Sequence, residues 1–287
     1  METNAKPAEP HDPATYWLAP SRNYRTSARL YFQHMLCQNT LGFLLENHIE
    51  QAIPRANTSV LQVADLACGN GVWLVDLCGE LAKKCISAKL DGFDINEILF
   101  PAPALLPPPE LIGIYDVVHI RAFTSMILNA ETTSLLSTVL AMLKPGGWIQ
   151  WEEINPDCLV ELATPGLETS ACETLKRGLR TSAEPHGHRY EYLAELDKHL
   201  IKNGFEDVHM SKMAKRKEDY KAWTDDFLMI WEEATPYFPS NVTNPHAPIT
   251  REFWAKNLIR AVGETEKGVV LHAGIITTVV GRKPILS

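Results

Sequence analysis

The chain has 287 residues, of which 45% are hydrophobic and 22% are charged. This composition is typical of a globular protein with a sizeable core, and it excludes a whole-chain coiled coil, collagen or disordered polymer. The chain contains 35 acidic residues and 27 lysines and arginines, so its formal net charge is −8. Because a negative protein repels phosphate backbones, we expect no nucleic acid partner.

Membranes and metals are not indicated either. No stretch reaches the roughly 18 consecutive apolar residues that a membrane span requires. The polar, proline-rich start does not resemble a signal peptide, so we expect a cytoplasmic protein. None of the six cysteines forms a C-x-x-C pair, so no metal site is predicted. The expected assembly is a monomer or a weak dimer.

The first half of the chain alternates predicted strands and helices. In order, the pattern predicts a helix over 27–50, a strand over 60–66, a helix over 72–85, strands over 89–95 and 115–120, a helix over 131–143 ended by K-P-G-G, and a strand over 148–154. This alternation predicts an α/β fold with a doubly wound, Rossmann-like, mostly parallel sheet and helices on both faces.

The second half is predicted to be more helical. It contains a helix over 191–202, a strand over 205–213, an aromatic-rich helical insertion over 219–268 and one long terminal strand. The aromatic residues of the insertion fit a core, with the wall of an apolar ligand pocket as the alternative. The predicted division is an N-terminal arm and lid (1–55), a cofactor-binding core (56–155), a helical cap (156–203) and C-terminal strands carrying the insertion (204–287).

The strongest motif is the run D-L-A-C-G-N-G-V-W at 65–73, between a strand and a helix. Gly69 and Gly71 allow a tight turn and a close backbone approach to a ligand, and the helix that follows turns its N–H groups toward it. Asp94 ends the next strand, where a carboxylate can accept both hydroxyls of a ribose. The motif therefore predicts a nucleoside-type cofactor at the carboxyl ends of the strands.

The details of the turn favour S-adenosylmethionine over a nicotinamide dinucleotide. The third glycine of the dinucleotide fingerprint is replaced by Leu74, and no lysine or arginine occurs between residues 60 and 82 to assist a pyrophosphate. Asp65, just before the turn, suits a cationic sulfonium. A glycine turn without a ligand remains the alternative.

These segments resemble class I S-adenosylmethionine-dependent methyltransferases. The run at 65–71 is similar to their first motif, G-F-D-I-N to their ribose-binding motif, Y-D-V-V-H-I-R-A-F to the strand and loop beside the methyl donor, and L-K-P-G-G-W-I-Q-W-E-E-I to the turn before their fifth strand. The chain is most similar to methyltransferases of fungal secondary metabolism, and among them to thiomethyltransferases of gliotoxin-type epidithiodiketopiperazines.

The resemblance implies a set of cofactor-binding residues. They are Ala67, Gly69 and Gly71 for the methionine part, Asn70 in the same turn, Asp94 for the ribose, Ile95 near the adenine, Arg121 near the donor, and Tyr24, Arg29 and Gln33 in a lid. For Tyr24 and Arg29, an ordinary helix surface is the alternative.

Methyl transfer from a sulfonium is an in-line displacement that depends on alignment more than on acid–base chemistry. A thiol acceptor needs little help, because some thiolate exists near neutral pH. If a base is used, His119 and Glu152 are the catalytic candidates, with His34 as a third. The alternatives are a core histidine for His119 and an acidic surface for Glu152 and Glu153.

The segment between Asp94 and Tyr115 departs from the family pattern. Its 20 residues contain five prolines, too few and too rigid for a complete strand and crossover helix, so the third strand of the pattern is predicted to be truncated. The favoured function is S-methylation of a small-molecule dithiol, with S-adenosylhomocysteine as product. The alternatives are O- or N-methylation of another secondary metabolite, or a non-methylating role as a pericyclase-like catalyst or regulatory protein.

Overall fold

The computed structural model describes residues 24–53, 59–94, 107–156, 159–183, 185 and 187–285. Its strands are β1 (Leu61–Leu66), β2 (Ala88–Phe93), β3 (Tyr115–Arg121), β4 (Leu143–Ile154), β5 (Leu159–Leu162), β6 (Glu206–Ala214), β7 (Val270–Ala273) and β8 (Ile275–Arg282). Its α-helices are α1 (Tyr24–Leu41), α2 (Asn47–Ala52), α3 (Val72–Lys83), α4 (Thr133–Met142), α5 (Ser170–Ala183), α6 (Leu196–Lys202), α7 (Tyr220–Ala234) and α8 (Arg251–Thr265).

The central sheet has six strands in the order β2-β1-β3-β4-β8-β6. The first four are mutually parallel, whereas β8 is antiparallel to both β4 and β6. The carboxyl ends of β1, β2, β3, β4 and β6 therefore share one edge of the sheet, which we call the carboxyl edge. The mostly parallel α/β fold expected from the sequence is confirmed.

Strand β2 forms one side of this sheet. It pairs with β1, and within the described residues no strand pairs along its other side. The predicted truncation of the third strand falls largely on residues 95–106, which lie outside the described ranges.

Several predicted boundaries were wrong for identifiable reasons. The single helix over 27–50 is two helices, because Gly42 takes a left-handed φ of +75° and ends α1. The K-P-G-G run at 144–147 does not separate helix from strand. β4 begins at Leu143, immediately after α4, so the run is part of this strand. The pairing of β4 with β3 shifts its register there, between Tyr115 and Val117.

The cap and the C-terminus also differ from the prediction. The segment 156–203, expected to be helical, contains β5, and the expected single terminal strand is broken at Gly274 into β7 and β8. β7 leaves the main sheet and pairs with β5 in a two-stranded sheet. Short strands of this kind depend on a distant partner, for example Leu159 opposite Ala273, 114 residues away, so local sequence patterns did not predict the pairing.

The aromatic insertion is core, as expected. Trp254 is completely buried, and its ring centroid lies 4.5 Å from that of Trp231 and 5.0 Å from that of Phe238. α8 packs on α5, so this core joins the helices of the second half to the sheet. Among the described residues, no helix has both the length and the hydropathy that crossing a membrane requires.

Two helical glycines provide a matched test of this packing. A Cβ at Gly178 in α5 would lie 3.0 Å from Cη2 of the buried Trp254, whereas a Cβ at Gly79 in α3 meets open space. We expect Gly178→Ala to lower the free energy of unfolding by about 2 kcal/mol through overpacking. Gly79→Ala is expected to raise it by about 0.5–1 kcal/mol through helix propensity. Urea denaturation measures both, and equal stability of the two variants would contradict the packing described.

Candidate functional site

The glycine turn lies at the carboxyl edge, between β1 and α3. Ala67, Gly69 and Gly71 all have left-handed φ values, of 60°, 61° and 75°. Gly71 is the N-cap of α3, and the Cys68 N–H donates to the Phe93 carbonyl at 3.0 Å, which fastens the turn to the end of β2. For Ala67 the left-handed conformation costs about 1–2 kcal/mol, and such strain is typical of functional turns.

Asp94 and Asn70 connect this turn to its neighbours. The Gly69 N–H donates to Asp94 Oδ2 at 2.8 Å, so the two predicted cofactor motifs are in direct contact. A carboxylate has about four lone-pair positions, so ribose hydroxyls can add to this bond. Asn70 Nδ2 donates to the Ser27 carbonyl at 3.0 Å, which brings the turn against α1. Ile95 lies outside the described residues.

Next to the turn, a chain of polar side chains runs along the carboxyl edge. Arg121, which ends β3, donates from Nε to Glu152 Oε2 at 2.6 Å, and its Nη1 lies 3.0 Å from His34 Nδ1. His34 Nε2 lies 2.8 Å from Asp76 Oδ2. The chain thus joins β4, β3, α1 and α3, and it fixes the lid helix over the sheet.

Glu152 is buried, with 1% of its surface exposed, so the acidic-surface alternative is wrong for this residue. Burial alone would raise the pKa of Glu152, but Arg121 and His119 outweigh it and lower the pKa to about 2. An ion-paired carboxylate of this kind is a weak base. Its geometry therefore suits an electrostatic and positioning role better than proton abstraction.

His119 is enclosed in the core beside the same chain. Its Nδ1 lies 2.7 Å from Asp65 Oδ1, its ring stacks on Trp73 at a centroid distance of 3.7 Å, and its Nε2 is 3.7 Å from Glu152 Oε2. Burial lowers the pKa of His119, but the two carboxylates outweigh that effect and raise it. This geometry favours the core-histidine alternative. It also directs Asp65 toward His119 and not toward a sulfonium, contrary to our expectation.

The three predicted lid residues differ in placement. Arg29 is only 3% exposed, with Nε 3.1 Å from Glu233 Oε2 of α7, so the helix-surface alternative is wrong for it. Gln33 Nε2 donates to Asp226 Oδ2 of α7 at 3.0 Å. Tyr24, in contrast, is 78% exposed. Arg29 and Gln33 therefore connect the lid helix to α7.

Sequence reasoning did not find a role for Glu153. Its Oε1 accepts from the Phe123 N–H and from Trp151 Nε1, each at 2.7 Å. These bonds hold the loop after Arg121, where Ala122 has a left-handed φ of 55°. Burial raises the pKa of Glu153 to about 8, so the acidic-surface alternative is wrong here as well. The sequence does contain one signal for this role, because Glu153 is a second acidic residue near the end of a buried strand.

A metal site is not indicated among the described residues, and a cavity lies at a different edge of the sheet. Within the described residues, no group of three or more His, Cys, Asp or Glu side chains could hold a metal ion. A cavity of about 220 Å³ lies at the opposite, amino edge of the sheet, lined by Leu61, Val117 and Trp148 among others. The glycine turn and Asp94 do not border it.

The buried Glu153 makes a testable contribution to stability. Its folded-state pKa lies above its usual value of 4.5, so the folded state binds more protons than the unfolded state between about pH 4.5 and 8. Stability from this group therefore falls as pH rises through that window. Glu153→Gln keeps an acceptor for the Phe123 N–H but does not titrate.

We expect the free energy of unfolding of the unmodified protein, relative to Glu153→Gln, to fall by up to about 1.4 kcal/mol per pH unit across this window. Urea denaturation at pH 5, 6, 7 and 8 measures the difference, in which contributions of the other titrating groups cancel. Parallel curves would show that Glu153 is ionised in the folded state, contrary to our interpretation.

The curated proteins to which this chain is similar include methyltransferases. Curated relatives include methyltransferase grgD of a Penicillium species (31% identity, covering 50% of this chain and 53% of grgD) and N-methyltransferase tcpN of Claviceps purpurea (28%, covering 47% and 51%). The secondary metabolism regulator laeA of Monascus pilosus is 27% identical, with 50% and 40% covered. The chain spans about half the length of the curated relatives it matches.

The family described as a methyltransferase domain matches residues 36–210, which is more than half of the chain. This range contains the glycine turn, Asp94, Arg121 and Glu152. The methyl donor indicated by the sequence, S-adenosylmethionine, is the cofactor of such a domain. The chain therefore belongs to the methyltransferase domain family.

Proposed function

We propose that the protein transfers a methyl group from S-adenosylmethionine to a small-molecule natural product at the carboxyl edge. The observation that carries this proposal is the 2.8 Å bond from the Gly69 N–H to Asp94, which sets the turn and the ribose acid side by side. In this proposal Ala67, Gly69, Asn70 and Gly71 contact the methionine part, Asp94 holds the ribose hydroxyls, and Arg121 lies near the donor.

When bound, the cofactor supplies the electrophilic methyl group, and the chain supplies alignment and a dry environment. The Arg121–Glu152 pair fixes the end of β3, and Glu153 fixes the loop that follows it. The contacts of Arg29 and Gln33 with α7 keep α1 closed over this edge. Each of these groups positions the site without exchanging a proton with the acceptor.

Thiol methylation is the reaction we favour. His119 is enclosed and Glu152 is a weak base, so an acceptor that ionises unaided suits this edge best. We therefore propose a gliotoxin-type dithiol as the first acceptor to test. We also propose that the protein is cytoplasmic.

N-methylation is the second candidate, because the relatives tcpN and verN, the latter from Clonostachys rogersoniana, are both named N-methyltransferase. A non-methylating role is the third candidate, because the relative laeA is named a secondary metabolism regulator.

Mass spectrometry of acceptors after incubation with S-adenosylmethionine tests the proposal. We expect a reduced dithiol to gain one or two methyl groups. Asp94→Ala is expected to slow this reaction at least about tenfold, because it removes the hydrogen bonds of a charged group. Glu80→Ala is the matched control, since Glu80 pairs with Lys83 on the outer face of α3.

The alternatives predict different outcomes in the same experiment. Methylation of a secondary amine but not of the dithiol would contradict thiol transfer and leave the methyltransferase assignment intact. No methyl gain in a panel of thiols, amines and phenols, with S-adenosylhomocysteine bound, would contradict the proposed activity and favour the regulatory or pericyclase-like role.

A further inference from the structure

A buried lysine that forms no ion pair with the described residues lies at the carboxyl edge. Lys215 directly follows β6, and its N–H donates to the Gly274 carbonyl where β7 and β8 separate. The residue is 4% exposed, and Nζ lies 3.3 Å from the ring centroid of Trp223 in α7. Among the described residues, no carboxylate oxygen lies within ion-pair distance of this amine. Lysine is almost never buried without such a partner.

Asp226, on the same side of α7 as Trp223, is similarly incomplete. It is 3% exposed, and its Oδ2 accepts a hydrogen bond from Gln33. Its Oδ1 and the indole N–H of Trp223 have no hydrogen-bond partner within the described part of the chain. A buried polar atom without a partner costs about 1–3 kcal/mol, so a ligand that bonded to these atoms would recover that cost.

These groups adjoin the donor site through α1. On this helix Gln33 donates to Asp226, and its neighbour His34 contacts Arg121. Cys37 of the same helix lies in one buried cluster with Trp223. Burial lowers the pKa of Lys215 to about 7. Burial also raises the pKa of Asp226 to about 6, against the opposing effects of Arg29 and Gln33. Residues of α1 therefore contact both the donor site and this second set of groups.

Packing alone does not explain this arrangement. Leu36, Ile276 and the side chain of Trp223 make the surroundings apolar, and an apolar residue in place of Lys215 would suit them better. Residues that reduce stability in this way are common in binding sites, where the ligand completes the hydrogen bonds.

We propose that Lys215 and Asp226 form the recognition subsite for the methyl acceptor and select a molecule that carries a hydroxyl group, as in an alcohol or phenol. The hydroxyl oxygen accepts from Lys215 Nζ, and the hydroxyl hydrogen is donated to Asp226 Oδ1. This inference rests on the proposed function and adds the chemical class of the acceptor. Both are specificity residues that hold a group of the acceptor away from the atom being methylated.

The probes are phenol and toluene. They have the same ring, but phenol carries a hydroxyl group where toluene carries a methyl group. NMR titration of the protein saturated with S-adenosylhomocysteine measures both dissociation constants. We expect phenol to bind about fivefold more tightly than toluene, the ratio that one net hydrogen bond provides. Lys215→Met and Asp226→Leu are expected to abolish this preference. Lys221→Met is the matched control, because Lys221 is an exposed lysine of α7 that pairs with Asp225.

Thermal denaturation and product binding separate recognition from structure. We expect Lys215→Met to leave the Tm unchanged or raise it, with binding of S-adenosylhomocysteine unchanged. Equal binding of phenol and toluene by the unmodified protein, binding of neither, or a preference that survives in Lys215→Met would overturn the subsite. Failure to bind S-adenosylhomocysteine would instead count against the proposed function.

Discussion

The ion pair between Arg121 and Glu152 is the contact on which the carboxyl edge depends. Both side chains are largely enclosed, so the cost of removing two charges from water is offset by their 2.6 Å contact, by the nearby His119, and by further bonds to His34 and Gln150. Loss of either partner would leave an uncompensated buried charge, at a cost of about 3–5 kcal/mol. The lid helix is connected to the sheet through this pair, so its position follows from the electrostatics of β3 and β4.

From this pair, polar contacts extend in two directions along the edge. On one side, Glu152 and Asp65 enclose His119, beneath the glycine turn that contacts Asp94. On the other side, α1 reaches α7 through Gln33 and Asp226, and Lys215 lies beyond them. The first side has the backbone geometry for a nucleoside cofactor, and the second has incomplete hydrogen bonding. This asymmetry is why we assign the donor to one side and the acceptor to the other.

Local sequence patterns predicted the parts of this arrangement that local physics determines. The buried run of β1, the glycine turn and the acid that ends β2 are each encoded within a few residues, and the structure brings Gly69 and Asp94 together as expected. The pairing of β5 with β7 and the burial of Arg29 against Glu233 depend on residues more than 100 positions apart. Periodicity carries no information about such partners. For the same reason, nothing in the basic run at 212–217 indicates that the fold buries Lys215.

A crystal structure of the protein grown with S-adenosylhomocysteine would test the central claim most directly. We expect the product at the carboxyl edge, with its amino acid part against the turn at residues 67–71 and its ribose hydroxyls on Asp94. Product bound in the amino-edge cavity beside Trp148, or a carboxyl edge that stays closed and empty at saturating product, would contradict it.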